Sequence, residues 1–367
     1  MIGGGPAGAA VALSLARAGR VVLIVERERR PRLRAGETLP PSVRLPLGRV
    51  GLWGEFEREG HVPSVGNRSA WGSPALADYD FIFSPYGSGW HIDRRKFDEM
   101  LLRGAKSAGA LLLAGARLAG ASHTPGRGWR LDIAEGARRS SLKARFVVDA
   151  SGRASGFAVG CGVERITLDH MVGVVGYFQT EGGGETADRS TLVEAVESGW
   201  WYSALLPGGR LVAAYMTDAD LAARDKARTT GDWHALLAQT EHTRRRVEAH
   251  GYRLSGAPRV VAANSSRLRH VAGGSWLAAG DAAAAYDPLS SQGIVTALST
   301  GLDAAAAIHL QLDGEPGALR EYGRRLSESF AAYVLHRAAY YRIEKRWPDS
   351  PFWSRRQRLK SRMKAEG

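Results

Sequence analysis

The chain of 367 residues contains 44% hydrophobic and 24% charged residues, the composition of a folded globular protein, which excludes a disordered chain or a fibrous repeat. Its net charge of +13 comes without a helix-turn-helix, zinc-finger or RRM pattern, so nucleic-acid binding is not expected. No continuous apolar run of about 18 to 20 residues and no signal peptide are present, so we expect a cytoplasmic protein that does not enter a membrane.

The first element is a glycine-rich turn with the spacing Gly3-x-Gly5-x-x-Gly8. An Ala-rich helical stretch follows it, and the apolar residues 21–25 predict a strand that ends at Glu26. In such a turn one glycine makes the bend, one lets the backbone approach a pyrophosphate and one allows close helix packing. The helix N-terminus faces the phosphates, and the acidic residue accepts from a ribose hydroxyl. The sequence therefore predicts a dinucleotide site.

The strand that should precede this turn is short, because only Met1 and Ile2 stand before the glycines. A central parallel strand is normally buried and several residues long. We therefore expect the natural protein to begin roughly five to ten residues upstream with an apolar, β-branched segment.

The rest of the chain is predicted to mix helices and strands. Apolar residues at helical spacing cover 41–56, residues 71–90 indicate short strands, 93–107 an amphipathic helix, and 110–148 an antiparallel meander. Further strands are predicted at 171–180, 191–196, 201–206, 210–216 and 275–279, turns at 182–184 and 208–209, and helices at 232–249, 290–312 and 317–342.

Three separated motifs resemble those of one flavoprotein family. The first is the glycine turn, and the second is Val148-Asp149-Ala150-Ser151-Gly152-Arg153 at the end of a predicted strand. The third is Gly280-Asp281-Ala282-Ala283 with the loop Asp287-Pro288-Leu289-Ser290-Ser291-Gln292-Gly293. Together they resemble the FAD-dependent monooxygenase fold of aromatic hydroxylases and flavin-dependent tryptophan halogenases, over nearly the whole chain.

This resemblance implies an α/β fold, in which a Rossmann-like, doubly wound, three-layer FAD-binding domain carries an inserted antiparallel-sheet substrate domain. The FAD-binding domain is assigned to residues 1–60, 91–165 and 265–315, the substrate domain to 61–90 and 166–264, and a C-terminal helical segment to 316–367. This last segment ends in a basic tail, Arg355, Arg356, Arg358, Lys360, Arg362 and Lys364. The tail is either a solvated helix end or a docking surface for an acidic partner.

The resemblance also implies roles for residues around the cofactor. In the family, the Asp of Gly-Asp accepts from a ribityl hydroxyl, and the Pro-to-Gly loop runs beside the flavin ring. A helix beginning near Ser291 would direct amide N–H groups at the negative edge of reduced flavin. Arg34 matches a pyrophosphate contact and Arg94 a contact to the ribityl chain or phosphates, with surface charge as the competing interpretation. The residues expected to bind FAD are Gly3, Gly5, Pro6, Ala7, Gly8, Glu26, Arg27, Arg34, Arg94, Asp149, Gly280, Asp281, Pro288, Ser291, Gln292, Gly293 and Ile294.

Two further segments, Gly36-Glu37-Thr38-Leu39-Pro40-Pro41 and Asn67-Arg68-Ser69-Ala70-Trp71-Gly72, resemble flavoproteins that hydroxylate a tryptophan in a partner polypeptide during tryptophylquinone maturation. True halogenases of this fold pair a lysine with a Trp-x-Trp-x-Ile-Pro segment. Here the segment is Tyr202-Ser203-Ala204-Leu205-Leu206-Pro207, and no Lys lies between Met1 and Arg95. Halogenation through that lysine therefore has no residue to carry it.

We therefore predict an FAD-dependent monooxygenase that inserts one oxygen atom of O₂ into an electron-rich aromatic ring through a flavin hydroperoxide. The ring is an indole or a phenol, with a tryptophan in a peptide or protein among the candidates. No second GxGxxG unit is present, so NAD(P)H either binds transiently or serves a separate flavin reductase. The alternatives are a flavin-dependent halogenase, an FAD-dependent reductase of isoprenoid double bonds and a flavin-free binding scaffold.

Candidate walls for the aromatic substrate are Trp71, Trp200, Trp201 and Tyr202, each of which is alternatively a core residue. His91, His170 and His270 are either bases or, as we favour, structural histidines. No His and carboxylate spacing suggests a metal site. The single cysteine, Cys161, is interpreted as a buried structural thiol.

Overall fold

The computed structural model describes residues 1–31, 34–180 and 188–357, so the predicted turn at 182–184 lies outside it. The α-helices in this part of the chain are α1 Pro6–Arg17, α2 Arg44–Arg49, α3 Trp53–Arg58, α4 Arg94–Ser107, α5 Gly156–Gly160, α6 Ala219–Arg224, α7 Thr230–Ala238, α8 His242–Ala249, α9 Gly293–Leu312, α10 Ala318–Ile343 and α11 Pro351–Gln357. The strands are β1 Leu23–Glu26, β2 Thr38–Leu39, β3 Val62–Ser64, β4 Gly66–Ala70, β5 Ala77–Asp80, β6 Gly89–His91, β7 Leu111–Ala114, β8 Arg117–Thr124, β9 Gly128–Glu135, β10 Arg138–Ala144, β11 Val147–Asp149, β12 Arg165–Thr167, β13 Met171–Gln179, β14 Thr191–Val196, β15 Gly199–Leu206, β16 Arg210–Asp218, β17 Arg253–Leu254, β18 Arg259–Ala262, β19 Ser266–Leu268, β20 Ala272–Gly273, β21 Trp276–Ala278 and β22 Ala284–Ala285. Short 3₁₀ turns lie at Pro41–Val43, Gly152–Ala154, Gly280–Ala282 and Pro288–Ser290.

A parallel sheet forms the centre of the FAD-binding part. β1 pairs with β7, and β11 pairs with β21, both in parallel register. Ile2 lies between the two pairs, since its N–H donates to Val148 O at 2.9 Å and the N–H of Gly3 donates to Val25 O at 2.9 Å. The position of the first strand is thus occupied by a single bridging residue.

Helices cover one face of this sheet, and the antiparallel strands β8, β9 and β10 cover the other. Because side chains alternate along a strand, Ile24 and Val148 face α1, α4 and α9. Their neighbours Val25 and Val147 face the meander and contact Trp129 in its core. This arrangement confirms the predicted α/β fold class with a three-layer FAD-binding domain.

Helices α1 and α9 pack closely because the residues between them are small. A Cβ on Gly301 would lie 2.7 Å from Ala7 O and 3.0 Å from Ala10 Cβ. Judged by length and composition alone, α9 is long and apolar enough to cross a membrane. The sequence did not predict this, because no continuous apolar run is present. In the structure this helix packs on α1 in the core of the FAD-binding part.

The second sheet has eight strands, in the order β17, β13, β16, β15, β14, β4 and β5, with β18 also paired to β13. Its side chains point to two faces. We call the face that carries Tyr177, Trp200 and Tyr202 the inner face, because these side chains reach the FAD-binding part and α10. The outer face carries Trp201 and Tyr215 and packs on α6, α7 and α8.

The single helix predicted over 232–249 is wrong, because the chain forms two helices there, α7 and α8. The break is stabilised by the buried carboxylate of Glu194 on β14. It accepts from the N–H groups of Glu241 at 2.7 Å and Thr243 at 2.8 Å, at the N-terminus of α8. A residue about fifty positions earlier thus decides where the helix begins, which local helical periodicity does not reveal.

Two arginines of the predicted basic tail belong to α11, where Arg356 pairs with Asp218 at the end of β16 and Arg355 pairs with Asp220 on α6. Arg356 Nη2 lies 2.7 Å from Asp218 Oδ1, and Arg355 Nη2 lies 2.7 Å from Asp220 Oδ2. The other four basic residues lie outside the described residues. Docking of an acidic partner therefore stays a prediction.

Cys161 is exposed, so the interpretation of a buried thiol is wrong. The residue is the C-cap of the five-residue helix α5, whose buried side chains are Phe157 and Ala158. The helix turns its apolar side to the core before it reaches Cys161, which leaves the thiol on the solvent side.

Candidate flavin and substrate site

The three glycines of the first turn have different surroundings. Gly3 has φ +101°, and a Cβ there would lie 2.3 Å from Ala150 O. A Cβ on Gly8 would lie 2.1 Å from Gly3 O, whereas a Cβ on Gly5 would meet nothing within 4 Å. Gly5 is also the N-cap of α1 and makes no side-chain cap, with Pro6 behind it. Gly3 and Gly8 thus close the turn, and Gly5 leaves the helix N-terminus open to a phosphate.

A cavity of about 270 Å³ opens beside this turn. It is lined by Gly4, Gly5, Glu26 and Arg34, among others. Glu26 accepts from the N–H of Gly4 at 2.7 Å and from that of Glu28 at 3.0 Å, so one face of the carboxylate is fixed by the backbone. Arg27 lies outside this cavity, 73% exposed, and pairs with Glu28. The structure thus gathers Glu26 and Arg34 at the turn and leaves Arg27 at the surface.

Asp149 does not face this space. Its side chain is fully buried and accepts from Ser151 N and Oγ at 3.0 and 2.6 Å. It also accepts from the N–H groups of Phe157 at 3.0 Å and Ala158 at 2.9 Å. Both oxygens are therefore engaged with the protein, and the carboxylate holds the turn after β11 instead of facing a cofactor.

Asp281 is partly exposed and lies next to two arginines, Arg153 and Arg165. Its Oδ2 lies 3.5 Å from Arg153 Nε, and its side chain remains 35% exposed. Burial raises the pKa of Asp281, against the charges of Arg153, Arg165 and Arg94. The guanidinium of Arg153 is fixed by the carbonyls of Asn264 at 2.5 Å and Tyr286 at 2.9 Å. The carboxylate of Asp281 is thus held in position and can still accept a hydrogen bond from a hydroxyl group.

Arg94 is buried, which rules out the surface-charge interpretation for this residue. Its Nη1 donates to Ala35 O at 3.0 Å and Gly36 O at 3.3 Å, and its Nη2 lies 3.3 Å from Asp98. Its Nε has no hydrogen-bond partner among the described residues. A buried N–H of a charged group without an acceptor is costly, so the site calls for an acceptor here.

The predicted flavin loop forms a 3₁₀ turn at Pro288–Ser290, followed by Ser291 at φ 51°. Helix α9 then begins at Gly293, with Gln292 as an N-cap that makes no side-chain bond. The first amides of a twenty-residue helix are thus free for a ligand. The side chain of Ile294 is buried in the core, so only its backbone can take part.

Sequence reasoning missed a carboxyl group that joins the two parts of the protein. Glu37 is 2% exposed and accepts from Gly36 N at 2.7 Å and Tyr177 OH at 2.5 Å. Burial raises the pKa of Glu37 despite these donors and the charge of Arg94. Next to it, Thr38 Oγ1 and Tyr202 OH form a hydrogen bond. The resemblance of the Gly36-Glu37-Thr38 segment was the one sequence signal for this contact.

The four candidate aromatic residues separate into two groups. Trp71 and Trp200 lie together with ring centroids 6.3 Å apart, and Tyr202 shares the inner face with Trp200. Trp201 points the opposite way, because neighbours on a strand alternate, and it stacks on Tyr215 at 5.2 Å. The grouping of Trp201 with the other three is therefore wrong, and its indole belongs to the core.

The three histidines have structural or surface positions. His91 is fully buried, its Nε2 lies 3.0 Å from Thr191 Oγ1, and burial lowers its pKa to about 3. His170 and His270 are exposed. His91 is therefore a neutral structural residue at ordinary pH.

The described residues of the three motifs, together with Arg94, fit FAD. The open N-terminus of α1 and the cavity at Glu26 suit a pyrophosphate and a ribose, and the unpartnered Nε of Arg94 suits an anionic or hydroxyl acceptor. Asp281 and the N-terminus of α9 suit a ribityl chain and an electron-rich ring edge. The individual contacts remain predictions.

Comparison with known proteins agrees with this fit. A curated relative described as the FAD-dependent oxidoreductase LodB, from Marinomonas mediterranea, is 28% identical over 361 residues, covering 97% of this chain and 95% of LodB. Further curated relatives are flavin-dependent halogenases, 26% to 28% identical. Among solved structures, the myxobacterial halogenase CndH matches with a TM-score of 0.87 and 26% identity, covering 99% of this chain and 86% of that one.

The peptidyl tryptophan dihydroxylase QhpG, essential for tryptophylquinone cofactor biogenesis, matches with a TM-score of 0.78 and 26% identity, covering 97% of this chain and 77% of that one. The FAD binding domain family matches residues 1–335. The predicted resemblance to halogenase-like FAD enzymes is confirmed. The chain belongs to the FAD binding domain family and is an FAD-dependent oxidoreductase.

Proposed function

We propose that this enzyme is a monooxygenase that inserts oxygen from O₂ into an electron-rich aromatic ring, and that the ring is a tryptophan side chain in a peptide or protein. The observation that carries this proposal is the likeness to the peptidyl tryptophan dihydroxylase QhpG over 97% of this chain, at 26% identity. The near full-length match to LodB, which is named an oxidoreductase and not a halogenase, supports the same choice. Free indoles and phenols are the simpler substrates of the same chemistry.

When bound and reduced, FAD supplies the reaction with O₂, while the chain binds, orients and shields the reactants. Half-buried aromatic side chains lie on the inner face and beside it: Tyr177, Tyr202 and Trp71. Tyr177 and Tyr202 are fixed by Glu37 and Thr38 on the opposite side. Flat, apolar side chains of this kind would suit an indole ring.

Halogenation is the second candidate, because many of the curated relatives are flavin-dependent halogenases. Against it, the first 95 residues contain no lysine, and the segment at Tyr202–Pro207 lacks both tryptophans of the halogenase pattern. The residues that would handle an oxidised halide are therefore absent from the positions where the resemblance expects them. The electrons come either from NAD(P)H bound transiently or from a separate reductase.

Product mass distinguishes these activities. The FAD-loaded enzyme is supplied with NAD(P)H, with and without an added flavin reductase, in buffers containing chloride and bromide. Tryptophan, indole, aromatic acids and tryptophan-bearing peptides serve as substrates. We expect a peptide product heavier by one or two oxygen atoms, with O₂ uptake. A halogenated product contradicts the proposal, and alkene reduction without O₂ uptake would indicate the isoprenoid reductase chemistry.

A further inference from the structure

The turn beside the predicted flavin position begins with a buried carboxylate, Asp287. Its side chain is 2% exposed. Oδ1 accepts from the N–H of Leu289 at 3.0 Å, which closes the 3₁₀ turn from within. Oδ2 accepts from Arg337 Nε at 2.9 Å and from Tyr341 OH at 2.8 Å. Two of the three donors thus come from α10, fifty or more residues further along the chain.

Three side chains on one face of α10 contact Asp287 at the start of this turn. Tyr333, Arg337 and Tyr341 follow each other at intervals of four residues, so they lie on the same side of the helix. Tyr333 OH accepts from the N–H of Asp287 at 2.7 Å. Arg337 and Tyr341 lie beyond residue 335, where the match to the FAD binding domain family ends.

Charge fixes the position of the carboxylate. Arg337 is 5% exposed and also pairs with Asp169, with Nη2 2.9 Å from Oδ2. Burial lowers the pKa of Arg337, but the two carboxylates outweigh it and raise the pKa overall, so the guanidinium stays charged. Moving Asp287 away would leave a buried cation short of one partner, which is strongly unfavourable.

The Tyr341 hydroxyl also links the turn to the inner face. Trp200 Nε1 lies 3.1 Å from Tyr341 OH, and an indole N–H only donates. The carboxylate of Asp287 only accepts, so the hydroxyl proton points at Asp287 and its oxygen accepts from Trp200. Trp71 packs edge-on against the ring of Tyr341, with centroids 5.6 Å apart. A directed chain of hydrogen bonds therefore runs from the aromatic wall to the turn.

We propose that Arg337 and Tyr341 are positioning residues for the flavin: they hold Asp287, set the 287–293 turn and the N-terminus of α9, and connect both to Trp200 on the inner face. Helix α10 thus belongs to the flavin site, because its side chains set the position of the turn. The proposal rests on the part of the proposed function that places FAD beside this turn, and it is independent of the reaction catalysed.

The test compares Tyr341→Phe with Tyr340→Phe in the full-length FAD-loaded protein. The two variants lose the same hydroxyl one residue apart, but the side chain of Tyr340 is exposed. For Tyr341→Phe we expect hydrogen exchange of the 287–293 amides to speed up about tenfold, because one donor to the carboxylate is lost. We also expect a larger dissociation constant for FAD, a shifted visible spectrum of the bound flavin and a changed midpoint potential of the flavin. Tyr340→Phe should match the wild type in all four readings.

Asp287→Asn provides a second variant that keeps the size of the side chain and removes its charge. It should change the flavin spectrum and potential in the same direction as Tyr341→Phe. A lower melting temperature in either variant with unchanged flavin spectrum, potential and affinity would show a merely structural role and overturn the proposal. None of these readings needs turnover, so a failure to detect hydroxylation leaves them standing, and a halogenase or reductase activity would not alter them.

Discussion

The glycines of the first turn are required for two different physical reasons. Gly3 and Gly8 are fixed by the protein itself, since a Cβ at either position would lie within 2.3 Å of a backbone oxygen. Gly5 has a φ of −69° and free space around its Cα, so the protein alone does not require glycine there. We therefore predict that the requirement for glycine at position 5 comes from the cofactor.

Alanine substitutions separate these two requirements. Gly5→Ala should leave the melting temperature of the FAD-free protein within about 2 °C of wild type but weaken FAD binding at least about tenfold. Gly8→Ala should lower both stability and FAD binding, because the new methyl group collides with Gly3 O. Thermal melts of the apoprotein and FAD titrations measure both, with Gly54→Ala on α3 as the control. Equal FAD affinity for Gly5→Ala and wild type would remove Gly5 from the site.

Asp281 is the carboxylate best placed to accept from the cofactor. Its replacement by alanine should weaken FAD binding by about 1 to 3 kcal/mol, the usual cost of one lost buried hydrogen-bonding group. FAD titration followed by flavin fluorescence gives the affinity, and the exposed Asp349→Ala serves as the matched control. Unchanged affinity and occupancy in Asp281→Ala would count against its predicted role.

Glu37 should make stability depend on pH. Burial raises the pKa of Glu37 in the folded protein, so the folded state holds this proton more tightly than the unfolded state. The stability that this proton contributes is present below the unfolded pKa, about 4.3, and is lost as the pH rises through the folded pKa. Relative to wild type, the free energy of unfolding of apo Glu37→Gln should therefore increase between about pH 5 and about pH 8. A constant difference across this range in denaturant titrations would contradict the prediction.

At the scale of the elements, β15 supplies side chains to both faces of the second sheet. Consecutive residues of the strand face opposite ways, so Trp200 and Tyr202 lie on the inner face while Trp201 packs between Tyr215 and Trp233. The same alternation separates Ile24 from Val25 in the parallel sheet. We therefore expect substitutions on the inner face of this strand to affect ligand binding and substitutions on the outer face to affect stability.

Substitutions on this strand should show that separation. Trp201→Ala should destabilise the protein by about 3 to 5 kcal/mol, because it opens a cavity in a fully packed aromatic cluster. Tyr202→Phe removes only a hydroxyl and should cost about 1 kcal/mol or less, while it changes binding of an aromatic ligand. Urea unfolding and ligand titration of the holoenzyme measure these effects. Near-wild-type stability of Trp201→Ala would show that its indole is not part of the core.

At the scale of the whole molecule, the C-terminal helices connect the two sheets. Helix α10 holds the 287–293 turn through Asp287, and α11 docks on the second sheet through Asp218. Arg356 is 2% exposed at its side chain and Arg355 is 47% exposed, although both contact Asp218. Breaking the buried pair should therefore cost more than breaking the exposed one, since an exposed ion pair contributes little.

Replacing each arginine tests how α11 is held. Arg356→Ala should lower the free energy of unfolding by about 3 to 5 kcal/mol, because the buried charge of Asp218 then keeps only the half-exposed Arg355 as an ion-pair partner. Arg355→Ala should cost less than about 1 kcal/mol. Chemical denaturation of both variants decides the point, and similar small losses in both would mean that α11 is held by its apolar residues Phe352 and Trp353 alone.

Sequence alone located the features that depend on neighbouring residues. The glycine turn and the Gly-Asp motif carried the resemblance to the FAD family, and that resemblance implied the α/β fold and the loop at 287–293. These signals are local, because turn geometry and helix or strand periodicity are set within a few residues. The predicted single helix over 232–249 failed for the same reason, since a distant carboxylate, Glu194, divides it.

Only the tertiary structure decided which side chains meet. Glu37 and Tyr177 are 140 positions apart, and Asp287 and Arg337 are 50 apart, so no local pattern pairs them. Asp149 was predicted from its motif to bind the cofactor, but its carboxylate accepts hydrogen bonds from backbone N–H groups once the turn after β11 forms. Burial and hydrogen-bond satisfaction are properties of the packed chain, because each depends on which distant elements the topology brings together. Sequence motifs therefore determined the cofactor class, and packing determined which residues remain free to serve it.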